Sequence, residues 1–287
     1  MSPVHFVLDE GLLASSGNMH LPDALRSHGH LVHLERSLRI DLDDQGLAET
    51  NNQCTVVYGS IRFVEQRIKN GGYTPGAYFS RNRFRCSQYL HRLPIEILGN
   101  GAGFYMPFGD FVRRRQQAYR LFGVSRLPVG PRQVFMRPDA GTKVFTGMVL
   151  TEGEDSHEIT SMRALTSVTD ETLVYVAPAS RISAEYRFFI VEGQVITGSQ
   201  YMADGSLFVS KDVDADCLQV AKIVANHPWQ IDLAYSCDVG LFDGVAKVIE
   251  LNAFSTSGLY ACDSLELFLA VANTAKREYE GLVSVSF

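Results

Sequence analysis

The chain lacks most of what a disulfide-stapled or zinc-held protein needs. It has five cysteines in 287 residues (Cys54, Cys86, Cys217, Cys237 and Cys262), an odd number, widely spaced and without a CxxC pair. That usage excludes a disulfide framework and predicts reduced thiols in a cytoplasmic protein. No HExxH pair occurs, and His28, His30 and His33 read as a turn and a strand edge rather than a metal site. There is no GxxxxGK[ST] loop and no GxGxxG. Asn100-Gly-Ala-Gly103 is too short for a dinucleotide fingerprint and lacks its strand–helix setting. No apolar run approaches the roughly 20 residues of a membrane helix, so no membrane partner is expected. The first residues lack a charged segment followed by a long apolar run, so no signal peptide is expected either. A net charge of −6 argues against a general nucleic-acid binder.

What the chain does have is core. Hydrophobic residues make up 46%, enough for one large domain or two to three smaller ones. The first third alternates short apolar runs (Val4–Leu8, Leu31–Leu34, Thr55–Tyr58, Ala77–Phe79) with helical segments, including Ile61–Lys69 behind a capping Ser60. Strands alternating with helices predict an α/β layer with parallel strands, assigned to residues 1–125. Phe111–Phe122 reads as a helix with a solvated Arg113-Arg-Arg115 face. Leu127-Pro-Val-Gly-Pro131 marks the boundary. Residues 126–287 then read as an α+β body of antiparallel hairpins. One of them turns at Glu192-Gly193, and a helix closes the chain from Ser264 to Tyr279.

The most informative stretch is Lys247-Val-Ile-Glu-Leu-Asn-Ala-Phe-Ser-Thr-Ser-Gly-Leu-Tyr260. A strand pattern ends in Glu250 and Asn252, and residues two apart on a strand share a face. A carboxylate and an amide oxygen side by side are hard ligands, suited to Mg²⁺. The preceding segment, Trp229–Ser236, also alternates. With Cys237–Gly244 taken as the hairpin loop, Cys237 faces Val245 and Asp232 falls opposite Glu250. A one-residue slip would turn every side chain over. Taken alone, Asp232 and Glu250 read as charges on the wet face of a hairpin. Anion-binding residues elsewhere would turn the set Asp232, Glu250 and Asn252 into a magnesium site.

Three basic residues are placed for that role. Arg137 follows the strand Val134-Phe-Met136, and Lys143 comes six residues later, beyond a glycine-containing turn. Arg187 lies in the apolar run Ile182-Ser-Ala-Glu-Tyr-Arg-Phe-Phe-Ile190, where a guanidinium needs an anionic partner. Glu185, two residues away on the same face, offers an ion pair as the alternative to a phosphate.

The order of these pieces resembles the ATP-grasp superfamily. The resemblance rests on Phe135–Gly147, on Val174-Tyr-Val-Ala-Pro178, on Glu185–Tyr201, and on Ile231-Asp232 with Val248–Tyr260. It is closest to the small ATP-grasp proteins of bacteria and phages and covers about residues 126–275. It implies an ATP-grasp fold of two α+β subdomains with antiparallel sheets, behind an α/β domain. ATP and Mg²⁺ would be the cofactors. By this likeness Asp232, Glu250 and Asn252 match magnesium ligands, and Lys143 and Arg187 match catalytic phosphate contacts, with Arg137 a third. The backbone of Val174, Tyr175 and Val176 would meet adenine. Ala177-Pro-Ala-Ser180 stands where the family has an acidic residue reading the ribose, so that contact goes unassigned. The implied activity is an ADP-forming ligase joining a small-molecule or peptide carboxylate to an amine or thiol through an acylphosphate. A phosphotransferase or a nucleotide-binding scaffold on the same fold are the alternatives.

Overall fold

The computed structural model describes residues 2–36, 53–70, 72–125, 127–128, 130–142 and 144–284. Three sheets organise them. The first is parallel: β1 (His5–Asp9), β2 (Leu31–Glu35), β3 (Cys54–Tyr58) and β4 (Thr74–Gly76), in the order β2-β1-β3-β4. Crossovers pass through α1 (Glu10–Ser15), α2 (Leu21–Ser27) and α3 (Ile61–Asn70). β3 is buried along its whole length, as a central parallel strand should be. Ser60 Oγ accepts the Phe63 N–H at 3.4 Å, the cap expected for α3. A short helix, α4 (Cys86–Tyr89), leads on to the second sheet.

That second sheet is antiparallel: β5 (Phe104–Pro107), β6 (Gln133–Pro138), β7 (Met148–Thr151) and β8 (Leu173–Pro178), in the order β5-β8-β6-β7. It is covered by α5 (Phe108–Phe122) and α6 (Ser156–Leu165), and Phe108, Phe111, Val134, Met136, Val174 and Val176 are buried between. Phe104–Phe122, grouped in sequence with the first third, thus pairs and packs with residues 133–178. β5 finds its partner some seventy positions downstream, a pairing no local pattern announces.

The third sheet holds β9 (Ile182–Val191), β10 (Gln194–Ala203), β11 (Ser206–Ser210), β12 (Ala234–Phe242) and β13 (Val245–Ala253), in the order β11-β10-β9-β12-β13. Glu192-Gly193 is the predicted hairpin turn, with both residues at positive φ (45° and 73°). On one face Tyr186, Phe188, Cys237, Val239 and Leu251 share a core with α7 (Ala215–Ala225). Toward the other, Phe189 and Phe254 meet Phe6, Tyr58 and Phe268 of α8 (Ser264–Tyr279), so the parallel sheet and the five-stranded sheet share one core.

The expected β12–β13 register is overturned. The turn is the two-residue Asp243-Gly244 (φ 48° and 84°), and Cys237–Phe242 is strand rather than loop. Phe242 faces Val245. Ile249 is bulged out where the register shifts, and Asp238 falls opposite Glu250. Asp232 lies before β12, outside the hairpin. The Asp-Gly signal for this turn was present, but the bulge was not legible. Without it Cys237 would stand opposite Glu250, and the acids would lie on different faces.

Among the described residues, no helix is long and apolar enough to cross a membrane. All five cysteines are free and buried.

Candidate functional site

Register builds the site. Arg187 of β9 pairs with Asp238 of β12, and Asp238 with Glu250 of β13, so three charged side chains stand in one row across three strands. Ser236 opposite Asn252 forms the next row. Arg187 grips Asp238 as a fork, Nε to Oδ1 at 2.8 Å and a terminal nitrogen to Oδ2 at 2.7 Å. Its other terminal nitrogen donates to the Gly258 carbonyl at 3.1 Å. Asp238 is 1% exposed and Arg187 8%. Burial pushes the Asp238 carboxyl above the usual range; Arg187 pulls it back, and Glu250 alongside pushes it up again.

Arg137 arrives from the second sheet. On β6 Val134 and Met136 point into that sheet's core, so Phe135 and Arg137 point the other way. Arg137 donates to Glu250 Oε2 at 2.7 Å and to the Ile249 carbonyl at 3.3 Å. That second bond goes to the bulged residue. Asn252 turns its amide nitrogen to Glu250 Oε1 at 2.9 Å and to Asp238 Oδ2 at 3.3 Å.

Two aromatic rings cover this row. Tyr201 and Tyr260 stack at 4.8 Å and 12°, with the Arg187 guanidinium 5.6 and 5.2 Å from their centroids. Tyr260 has φ +48°, a strained backbone for a bulky residue, directly after the loop that follows β13. The Tyr201 hydroxyl donates to Glu185 Oε2 at 2.5 Å.

Beside the row lies a cavity of about 250 Å³ between the second and third sheets, lined by Asn100, Phe135, Met148, Ser180, Glu185 and Phe242. It is slightly smaller than the roughly 300–1,000 Å³ of drug-sized ligand pockets. Glu185 is two residues from Arg187, about 7 Å along the strand. Burial raises its carboxyl; Tyr201 works against that, and Asp238 and Glu250 add to it. Glu185 therefore links the cavity to the charged row. The sequence offered it only as a partner for Arg187, a place taken by Asp238.

The other expected site residues fall as follows. Asp232 is buried against Arg83 at 2.7 Å and accepts the Leu233 N–H at 2.9 Å. It is not part of the row. Lys143 lies outside the described residues. Val174, Tyr175 and Val176 are on β8, the strand hydrogen-bonded on one side to β5 and on the other to β6. With its backbone committed to both neighbours it has no free edge for a base. Val174 and Val176 fill the core instead, and Tyr175 anchors the Asn100–Gly103 loop through its hydroxyl. The free backbone at the cavity belongs to the linker between β8 and β9, at Ser180.

Among the described residues, no three His, Cys, Asp or Glu side chains converge on a metal position. The row offers two carboxylates and an amide instead. Asp238, Glu250 and Asn252 are joined by hydrogen bonds of 2.9 and 3.3 Å, close enough for their oxygens to share one small cation. All are hard donors, which fit Mg²⁺.

The rest of the site holds this geometry. Asp139, just after β6, accepts from the Ser87 N–H at 2.9 Å, the Ser87 hydroxyl at 2.8 Å and the Cys86 thiol at 3.2 Å, capping α4 from a distance. Beyond β13, Ser257 bonds Ser236 at 2.9 Å, and its carbonyl accepts from the Tyr58 hydroxyl at 2.7 Å. Ser255 accepts the Tyr78 N–H at 3.0 Å through its hydroxyl and the Gly59 N–H at 2.9 Å through its carbonyl.

A family model for an ATP-grasp domain, the second family of its clade, matches residues 111–270. Among solved structures, the chain is similar to D-cycloserine synthetase DcsG, with 15% identity, TM-score 0.58, and 96% of this chain and 100% of that one covered. It is similar to a D-alanine–D-alanine ligase from Bacillus anthracis, with 11% identity, TM-score 0.59 and 98% and 99% covered. A third is the ATP-grasp ligase PsnB in complex with a minimal precursor, with 15% identity, TM-score 0.53 and 96% and 100% covered. At such identities the likeness is one of fold. No curated protein sequence matches.

Proposed function

The chain belongs to this family of ATP-grasp domains, and from that membership we propose that it is an ATP-dependent, ADP-forming ligase joining a carboxylate to an amine or thiol. ATP and Mg²⁺ are its cofactors. The observation that carries the reading is the row Arg187–Asp238–Glu250 with Asn252 and Arg137, beside a cavity sized for a base. The nucleoside enters between Phe135 and Phe242, with the Glu185 carboxylate available to a ribose hydroxyl. The phosphates then lie over Arg137 and Arg187.

Bound magnesium supplies charge neutralisation on the phosphates, held by Asp238, Glu250 and Asn252. The chain's own part is electrostatic and positional. Arg137 and Arg187 take the equatorial phosphate oxygens. Tyr201 and Tyr260 cover Arg187, which strengthens its charge interactions. The substrate carboxylate attacks the terminal phosphorus, the bond to the bridging oxygen breaks, and ADP leaves. The amine or thiol then attacks the acyl carbon, loses its proton, and inorganic phosphate leaves. The neighbours include ligases named for amino-acid and peptide substrates, and a small-molecule or peptide acceptor is the corresponding expectation here.

The test is incubation with ATP, Mg²⁺ and pools of amino acids and peptides, followed by phosphate release and mass spectrometry. Free phosphate with a new amide supports the ligase. A phosphorylated product stable to hydroxylamine would move the reading to a phosphotransferase. Tight ATP binding with no ADP from any pool would leave a nucleotide-binding scaffold.

A further inference from the structure

The acid row is already satisfied without a metal. Asp238 carries the Arg187 fork, and Glu250 carries Arg137 at 2.7 Å. Asn252 offers both acids its amide nitrogen, whereas a metal would need its oxygen. Two carboxylates and two guanidiniums balance in charge, and every one of these bonds occupies an oxygen that a cation would use.

A divalent cation arriving alone would place two uncompensated positive charges beside Arg187, which is 8% exposed. A polyphosphate arriving alone would draw the guanidiniums away and leave Asp238, 1% exposed, without its counter-ion. Arriving together they avoid both costs, because the phosphates take the arginines and the cation takes the acids.

We propose that Arg137 and Arg187 are exchange partners. Each guards a metal-ligating oxygen in the nucleotide-free protein and turns to a phosphate oxygen when nucleotide binds, so that cation and polyphosphate bind as a coupled pair. Asn252 turns its amide over in the same event. The proposal rests on the reading of this site as one for ATP and Mg²⁺. It adds that the arginines compete with the metal as well as assisting the nucleotide.

The probes are Mn²⁺, which suits the same oxygen ligands and is followed by electron paramagnetic resonance, and ADP, followed by calorimetry. Both are titrated into the full chain. Wild-type protein is expected to bind Mn²⁺ alone weakly, and ADP in EDTA weakly. Each should tighten the other by about 5- to 150-fold beyond their association in free solution, the usual range for coupled sites. Two variants give the distinguishing signs. Arg137→Gln should bind Mn²⁺ alone more tightly than wild type. Glu250→Gln should bind ADP in EDTA more tightly, although it has lost a metal ligand.

Arg187→Met is avoided because it strands the buried Asp238; Arg137 lies at the more open end of the row. Wild-type protein that binds Mn²⁺ equally well with and without ADP overturns the proposal while leaving the ATP site intact. So do variants whose affinities fall or do not move. Wild-type protein that binds no ADP even with Mg²⁺ overturns the ATP-site reading, and the exchange with it.

Discussion

Asp238 stands directly opposite Glu250, although symmetrical counting from the Asp243-Gly244 turn would put Ile249 there. One bulged residue brings two carboxylates onto a common face. Their role is testable at each acid. Glu250→Gln should cut Mg²⁺-dependent ATP turnover by about 10²- to 10³-fold, the usual cost of one electrostatic contact to developing charge. Circular dichroism should show an unchanged fold. Unaltered turnover would remove Glu250 from the site.

The two aspartates before and within β12 should separate cleanly. Asp238→Asn is expected to lose turnover as Glu250→Gln does, whereas Asp232→Asn should keep it, because Asp232 faces Arg83 outside the row. A steady-state assay of both variants decides between the observed register and the one expected from sequence.

Asp232 should instead appear in the pH dependence of stability. Burial raises its carboxyl from 3.8 to about 6, and Arg83 only partly offsets that. Between those values the folded state keeps a proton that the unfolded state has lost, so stability falls as pH rises through the window and levels off above it. The fall amounts to roughly 3 kcal/mol. Denaturant melts from pH 3.5 to 7 should show this decline in wild type and a flatter profile in Asp232→Asn.

Glu185→Gln should raise the KM for ATP by about tenfold, as expected for losing a hydrogen bond to a charged group, with a smaller effect on kcat. Because burial raises this carboxyl, wild-type nucleotide affinity should weaken on acidification from a higher pH than an ordinary glutamate would give. The variant should not show that weakening. A pH series of KM values checks both points.

Asp139→Ala should destabilise the protein by about 1–3 kcal/mol, since the Ser87 N–H and hydroxyl lose their acceptor. Calorimetry should show a lower Tm. Nucleotide affinity should fall too, because Asp139 anchors the end of the strand that carries Arg137.

What sequence could show followed locality. Glu250 and Asn252 were legible because alternation on a single strand needs no partner. Arg187 was legible because a guanidinium among Tyr186, Phe188 and Phe189 must meet an anion. The Glu192-Gly193 hairpin was legible from its turn chemistry. Asp238 was hidden because its place depends on a bulge in the opposing strand, which leaves no mark in composition. Glu185 was visible but misassigned, since its distance from Arg187 along the strand says nothing of Asp238 across it. The adenine strand was misplaced for a related reason. Val174-Tyr-Val176 looks the same whether its backbone is free or bonded on both sides, and β5, which bonds it, lies some seventy residues earlier.

The core shared by Phe6, Tyr58, Phe189, Phe254 and Phe268 has a consequence for dissection of the chain. The stretch matched by the family model, 111–270, ends partway along α8 and omits every strand of the parallel sheet. Cut out on its own, it would bare Phe189 and Phe254 to water and would cut β5 from β8. It would also release Ser255 and Ser257 from Gly59, Tyr78 and Tyr58, which brace the loop behind Asn252. The segment most recognisable as a module is therefore not a unit of cohesion. The first hundred residues are part of the wall against which the acid row is held.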